Sequence, residues 1–84
     1  MNKAERDRIR LAKHAWEDSR ARVRMTQEAL ERASRDVDDA HYDFEQWEGK
    51  ERFLKIEKLL EEAQADERKT QKELRASLEA AGLL

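Results

Sequence analysis

Apolar side chains recur every seven positions along the first half of the chain, which is the repeat of helices that pack as coiled coils. The large residues of this stripe, at heptad position a, are Ile9, Trp16, Val23, Leu30, Val37 and Phe44. The d positions between them hold mostly small residues: Ala12, Ser19, Thr26, Ala33, Ala40 and Trp47. Because small side chains let helix axes approach to the lower end of about 8–10 Å, this pattern predicts one continuous helix packed closely against a partner helix.

The heptad repeat changes phase by two residues near Gly49. In the new phase, position a holds Phe53, Leu60, Glu67, Leu74 and Ala81. Position d holds Ile56, Ala63, Thr70, Ser77 and Leu84. Since Gly adopts the left-handed conformation that ends many helices, the phase change predicts a turn near residues 48–50. A single Gly inside a helix costs only about 1 kcal/mol relative to Ala, so one continuous helix in a two-stranded coiled coil is the alternative.

The two stripes together predict an all-α fold, a long antiparallel helical hairpin of coiled-coil type that forms a single domain over residues 1–84. Helix one is expected at about 3–47 and helix two at about 51–81, with residue i opposite residue about 98 − i. Asn2 and Glu5 predict the N-terminal cap, and Gly82 followed by Leu83 predicts the C-terminal stop. Residues 1–13 would project past helix two and leave Ile9 uncovered, so the sequence also predicts a homodimer with four-helix character.

Ten large side chains on the two stripes form the predicted core and dimer contacts, and both tryptophans are expected to be buried. These residues are Trp16, Val23, Leu30, Val37, Phe44, Trp47, Phe53, Ile56, Leu60 and Leu74.

Charge is distributed unevenly along the first helix, although the chain as a whole carries only −2. Residues 1–24 contain eight basic and four acidic side chains, and residues 28–48 contain two basic and eight acidic ones. The predicted basic arm that would bind a partner comprises Arg6, Arg8, Ile9, Arg10, Lys13, Arg20, Arg22 and Arg24. The predicted acidic patch comprises Asp36, Asp38, Asp39, Asp43, Glu45 and Glu48. Patches of opposite sign favour directional docking, either with another protein or with a reversed copy of the same chain.

Catalytic and metal-binding patterns are not found in the sequence. There is no Cys, and two Gly cannot build a phosphate-binding loop. The stretch from Asp36 to Trp47 fails as an EF-hand loop, because His41 stands where Gly is needed and Trp47 where a chelating Glu is needed. We therefore expect no enzyme, no cofactor and no metal.

These observations predict a non-enzymatic protein-protein interaction module, a small adaptor or an inhibitor of a larger protein. One alternative is a nucleic-acid-binding protein that uses the basic arm, and another is an acidic mimic of nucleic acid that blocks a basic groove. The charged N-terminal segment has no apolar run, so neither a signal peptide nor a membrane span is expected, and the expected location is the cytoplasm.

Overall fold

Two long helices, packed side by side, make up the computed structural model, which describes residues 1–39 and 43–84 but not the side chains of residues 43–46. Helix α1 runs from Lys3–Asp38 and helix α2 from Asp43–Ala80. The molecule measures 62 × 16 × 13 Å. The longer helix, with 38 residues, should be about 57 Å long and one continuous helix about 120 Å, so the predicted all-α hairpin is confirmed. Ala40 and the side chain of Phe44, both assigned to the first stripe, lie outside the described part.

Both heptad phases are confirmed over most of their length, but Trp47 and Leu84, each assigned to position d, are exposed. Each stripe position from Ile9 to Val37 and from Phe53 to Ala81 is buried or half-buried. The buried residues among them are all small: Ser19, Ala33, Ala63, Thr70 and Ser77. We call these five residues the small-residue layer.

The large side chains at the stripe positions are half-buried in the single hairpin, and their further burial in dimer contacts stays a prediction. This applies to Trp16, Val23, Leu30, Val37, Phe53, Ile56, Leu60 and Leu74. Two helices alone cannot surround a large side chain, because each side chain extends past the line of closest approach toward solvent.

The prediction of a turn near 48–50 is wrong, because Gly49 lies inside α2. The phase of the second stripe extends back to Gly49, which occupies a d position seven residues before Ile56. A Cβ atom built on Gly49 would lie 3.0 Å from Cγ2 of Val37. Gly49 therefore serves as the smallest possible contact residue between the helices, and its φ is not in the left-handed region.

Helix pairing is shifted by roughly one heptad from the register predicted above. Ser19 contacts Thr70, and Arg22 contacts Asp66. In the predicted register, Ser19 would have faced Glu79. The shift brings the C-terminal end of α2 alongside the start of α1, so Ile9 and Ala12 are half-buried. The prediction that residues 1–13 project beyond their partner helix is therefore wrong.

A buried hydroxyl pair links the two helices at the observed register. The Ser19 and Thr70 hydroxyl oxygens are 2.8 Å apart. Ser19 Oγ also lies 2.7 Å from the Trp16 carbonyl oxygen, and Thr70 Oγ1 lies 3.0 Å from that of Glu67. One hydroxyl donates to the other while the second donates to its own helix backbone. Neither polar group is then unsatisfied, and the pair stabilises this register over its neighbours.

The predicted helix ends are present with one difference. The Asn2 side-chain oxygen accepts a hydrogen bond from the Glu5 N–H at 2.8 Å. Glu5 reaches back to the Asn2 side-chain amide at 3.4 Å rather than to its backbone N–H. At the other end Gly82 has φ +73°, and the Leu83 N–H donates to the Leu78 carbonyl at 2.9 Å, as in a Schellman motif.

The close approach of Gly49 to Val37 yields a testable prediction. Gly49→Ala gains about 1 kcal/mol of helix propensity but forces the new methyl group against Val37. In a Val37→Ala background the obstructing Cγ2 atom is gone, so Gly49→Ala should stabilise the protein by about 1 kcal/mol there and clearly less in the wild type. Urea denaturation of the four proteins of this cycle measures the difference. Equal effects in both backgrounds would contradict the contact.

Candidate protein interface

The predicted basic arm lies at the end of the hairpin where both chain termini meet, which we call the open end. Its seven Arg and Lys side chains are all exposed. Ile9 is different, because it is half-buried on the stripe that faces α2 and belongs to the core. The charged members of the arm are therefore accessible to a partner, and their role in binding one stays a prediction, whereas Ile9 does not share their exposure.

Some of the basic side chains already have partners within the hairpin. Arg22 pairs with Asp66 of α2 at 3.6 Å, and Lys13 lies 3.9 Å from Glu17. These ion pairs are largely exposed, so each contributes little to stability, but each lowers the positive potential of the arm. Within the described part of the chain, the arm residues without an ion pair or ring contact are Arg6, Arg8, Arg10 and Arg24.

The predicted acidic patch is only partly described. Asp36, Asp38, Asp39 and Glu48 are exposed, whereas the side chains of Asp43 and Glu45 lie outside the described part. Asp36 lies 4.0 Å from Arg52 of α2. Because α2 brings basic residues beside the patch, its surface is mixed in sign, which weakens the likeness to a uniformly acidic nucleic-acid mimic.

Trp47 is not a core residue, and the prediction that it is buried is wrong. Its side chain is 57% exposed. In the phase that α2 follows, Trp47 occupies position b, where it shares the outer face with Leu54, which is 61% exposed. Because the first stripe was extended through residue 47, the sequence analysis placed Trp47 at position d, on the face that contacts the other helix. We call Trp47 and Leu54, with the neighbouring charged residues Glu51 and Lys55, the Trp47 patch.

A shallow groove on the opposite flank of the hairpin was missed by the sequence analysis. Its apolar lining consists of Met25 and Ala29 of α1 with Ile56 and Leu59 of α2, and Asp18 and Arg22 lie at its rim. Met25 is 68% exposed and Leu59 is 56% exposed. We call this the central groove. The signal was present in the sequence, since Met25, Ala29 and Leu59 stand at positions c and g beside the stripe, but it can be recognised only once the register is known.

A second groove lies on the same flank toward the open end. Leu11, Ala15 and Ala76 line it, and Leu11 is 71% exposed. Leu11 and Met25 are fourteen residues apart, which is two heptads, so they lie on one face of α1. We call this the open-end groove.

Trp16 combines a half-buried ring with an unusual polar contact. The Arg20 guanidinium lies over the ring at 4.7 Å from its centroid, a cation–π arrangement. The indole Nε1 is buried and has no hydrogen-bond acceptor among the described residues. An unsatisfied buried N–H costs about 1–3 kcal/mol. The apolar contacts of the ring therefore stabilise Trp16 in its position, and the indole N–H does not.

The unequal exposure of the two tryptophans is testable by fluorescence. Trp16→Phe leaves only Trp47, whose emission should resemble that of solvated indole and be quenched readily by acrylamide. Trp47→Phe leaves only Trp16, which should emit at shorter wavelength and be quenched severalfold less efficiently, since its ring is packed. Equal emission and quenching in the two variants would contradict the placement of Trp47 on the outer face.

Comparisons of the chain with protein-family models, with curated proteins and with solved structures find no match. Over the part of the chain that the structure describes, no helix is long and apolar enough to cross a membrane. The same residues contain no group of three or more His, Cys, Asp or Glu side chains placed to hold a metal ion. His41, which the sequence places near Asp38, lies outside the described residues.

Proposed function

We propose that the hairpin is a non-enzymatic protein-binding module, a small adaptor or an inhibitor of a larger protein, and that it works as a homodimer. The observation that carries the proposal is the Trp47 patch: a Trp and a Leu, each more than half exposed, on one face of a long helix. Tryptophan is the residue most enriched among interface positions that dominate binding energy.

The charged surroundings of the Trp47 patch support binding to a protein. Glu48, Glu51, Arg52 and Lys55 stand beside Trp47 on α2. An apolar anchor that is surrounded by charges of both signs has the composition of an interface centre and its rim. Long-range attraction between such charges and a complementary partner accelerates association and selects orientation.

Photo-crosslinking tests this proposal at the predicted anchor. With p-benzoylphenylalanine at position 47, we expect the protein to capture a discrete partner in extracts of its source cells. The same photo-reactive residue at Lys72, an exposed position toward the open end, is the matched control and should not capture that partner. Once the partner is purified, Trp47→Ala should weaken its binding about thirtyfold or more, while helicity is unchanged. Identical capture profiles at positions 47 and 72 would count against the patch.

Nucleic-acid binding is the second candidate, and the exposure of Arg6, Arg8, Arg10 and Arg24 favours it. If these four side chains contact phosphates, the affinity for random duplex DNA should fall with salt at a log–log slope of about −3.6. The protein-binding proposal expects no measurable binding to DNA or RNA at low salt. A titration in 25–200 mM NaCl, repeated with Arg6, Arg8 and Arg10 changed to Gln, decides between the two candidates.

A further inference from the structure

We propose that two hairpins form an antiparallel dimer through the flank that carries the central and open-end grooves, with the turn of one copy beside the open end of the other. This inference deepens the proposed function, because it specifies how the proposed homodimer is built. The occupant of the grooves is a second copy of this chain.

The exposed area of the hairpin is the first support. The chain exposes 6769 Å². A compact monomer of 10.0 kDa exposes about 5,200 Å², so this hairpin exposes about 1,500 Å² more than its mass requires. One face of 62 by 16 Å offers about 1,000 Å², and a standard interface buries about 800 Å² on each partner. A single flank is thus large enough for a stable dimer.

The two flanks of the helix pair differ in polarity, which selects the face. On the grooved flank, positions g and c hold the apolar residues Leu11, Ala15, Met25, Ala29, Leu59 and Ala76, interspersed with charged residues such as Arg8, Asp18, Arg22 and Glu73. On the opposite flank, at positions e and b, the apolar residues are fewer, namely Trp47, Leu54 and Leu78, and position e is otherwise polar or charged: Arg6, Lys13, Arg20, Gln27, Ser34, Glu57, Gln64 and Gln71. Burying the grooved flank removes more apolar side chains from water than burying the other flank, which carries more polar groups to desolvate at its position e. Trp47 and Leu54, at position b, lie off the grooved flank and stay accessible, whereas Lys55 of the same patch stands at position c.

Charge then selects the orientation. The half of the hairpin toward the open end, residues 1–24 and 64–84, has twelve basic and eight acidic residues, a net +4. The half toward the turn, residues 25–63, has six basic and twelve acidic residues, a net −6. A parallel dimer would set like-charged halves side by side. An antiparallel dimer sets each positive half beside a negative one, which is favourable and avoids the repulsion.

The antiparallel arrangement also matches the shapes of the two grooves. A two-fold axis that lies in the interface, perpendicular to the helices, packs α1 of one copy antiparallel against α1 of the other. If residue i faces residue 40 − i, Leu11 meets Ala29 and Ala15 meets Met25, so each large side chain opposes a small one. The same operation sets Asp18 opposite Arg22, which is favourable, and Arg8 opposite Arg32, which is a like-charge contact. On α2 it brings Leu59 near Ala76, and also Glu62 near Glu73, a like-charge contact that subtracts from the gain.

A matched pair of leucines tests the face. Leu59 and Leu54 lie five residues apart on α2 and are 56% and 61% exposed, but only Leu59 lines the central groove. Sedimentation velocity should show a wild-type dimer of about 20 kDa at micromolar concentration. Leu59→Lys should raise the dimer dissociation constant at least about tenfold, and Leu54→Lys should leave it unchanged. Circular dichroism confirms that both variants stay helical. A monomeric wild type at 100 µM, or a Leu59→Lys protein that dimerises normally, would overturn the proposal.

Cysteine pairing tests the orientation, and the absence of native Cys makes the experiment clean. Ala15→Cys and Met25→Cys are prepared as separate single variants. Oxidation of their equimolar mixture should give covalent dimers that join position 15 of one chain to position 25 of the other. Neither variant alone should crosslink comparably. In a parallel dimer both positions would face α2 of the copy, so lack of crosslinks in the mixture would overturn the antiparallel arrangement.

The two proposals fail separately in these experiments. A monomeric chain whose position 47 still captures a discrete protein would remove the dimer and leave the protein-binding proposal intact. A dimer with the expected Leu59 and cysteine results, but with no partner captured at position 47, would leave the dimer and remove the partner.

Discussion

The close contact between the helices through the small-residue layer is the constraint on which the rest of the structure depends. Ser19, Ala33, Ala63, Thr70 and Ser77 are the residues that two helices can bury completely between them. Gly49 extends the same principle toward the turn, where a side chain would meet Val37. Because the backbones approach closely, the contact relies on packing along the full length of the hairpin rather than on a globular core.

This mode of packing has a consequence for the large apolar residues. Side chains such as Leu30, Leu60 and Leu74 cover the edges of the small-residue layer and remain half-exposed. Apolar area that stays in contact with water contributes nothing to folding, so a single hairpin gains less from these residues than a bundle would. The surface of the hairpin is therefore suited to further association, on which both the proposed dimer and the proposed partner binding depend.

Two separate surfaces of the hairpin are available for association. The grooved flank combines exposed Met25 and Leu59 with charged halves of opposite sign, which suits a reversed copy. The Trp47 patch faces elsewhere and would be presented twice, near opposite ends of an antiparallel dimer. Two identical sites on one rigid rod increase the effective affinity for a partner that is itself repeated or dimeric, because the second contact becomes intramolecular.

Much of the fold was determined by the sequence alone, because its signals are local or periodic. The seven-residue spacing from Ile9 to Val37 and from Phe53 to Ala81 identified the buried face of each helix, and Asn2 and Gly82 identified the helix ends. The charged members of the basic arm were correctly placed on the surface. Such signals depend only on which residues share one face of a single helix, and this is independent of how two helices are paired.

The position of the turn and the pairing of the helices were decided only by the tertiary structure. A heptad repeat is unchanged by a shift of seven residues, so the stripes fit neighbouring registers equally well. The turn predicted at Gly49 is absent, because the cost of about 1 kcal/mol for Gly inside a helix is small enough to be offset by a close contact between helices. The observed register joins the Ser19 and Thr70 hydroxyls in a buried hydrogen bond and places Gly49 against Val37. In this register Trp47 lies on the outer face and not between the helices. The sequence analysis therefore could not identify the candidate interface around it.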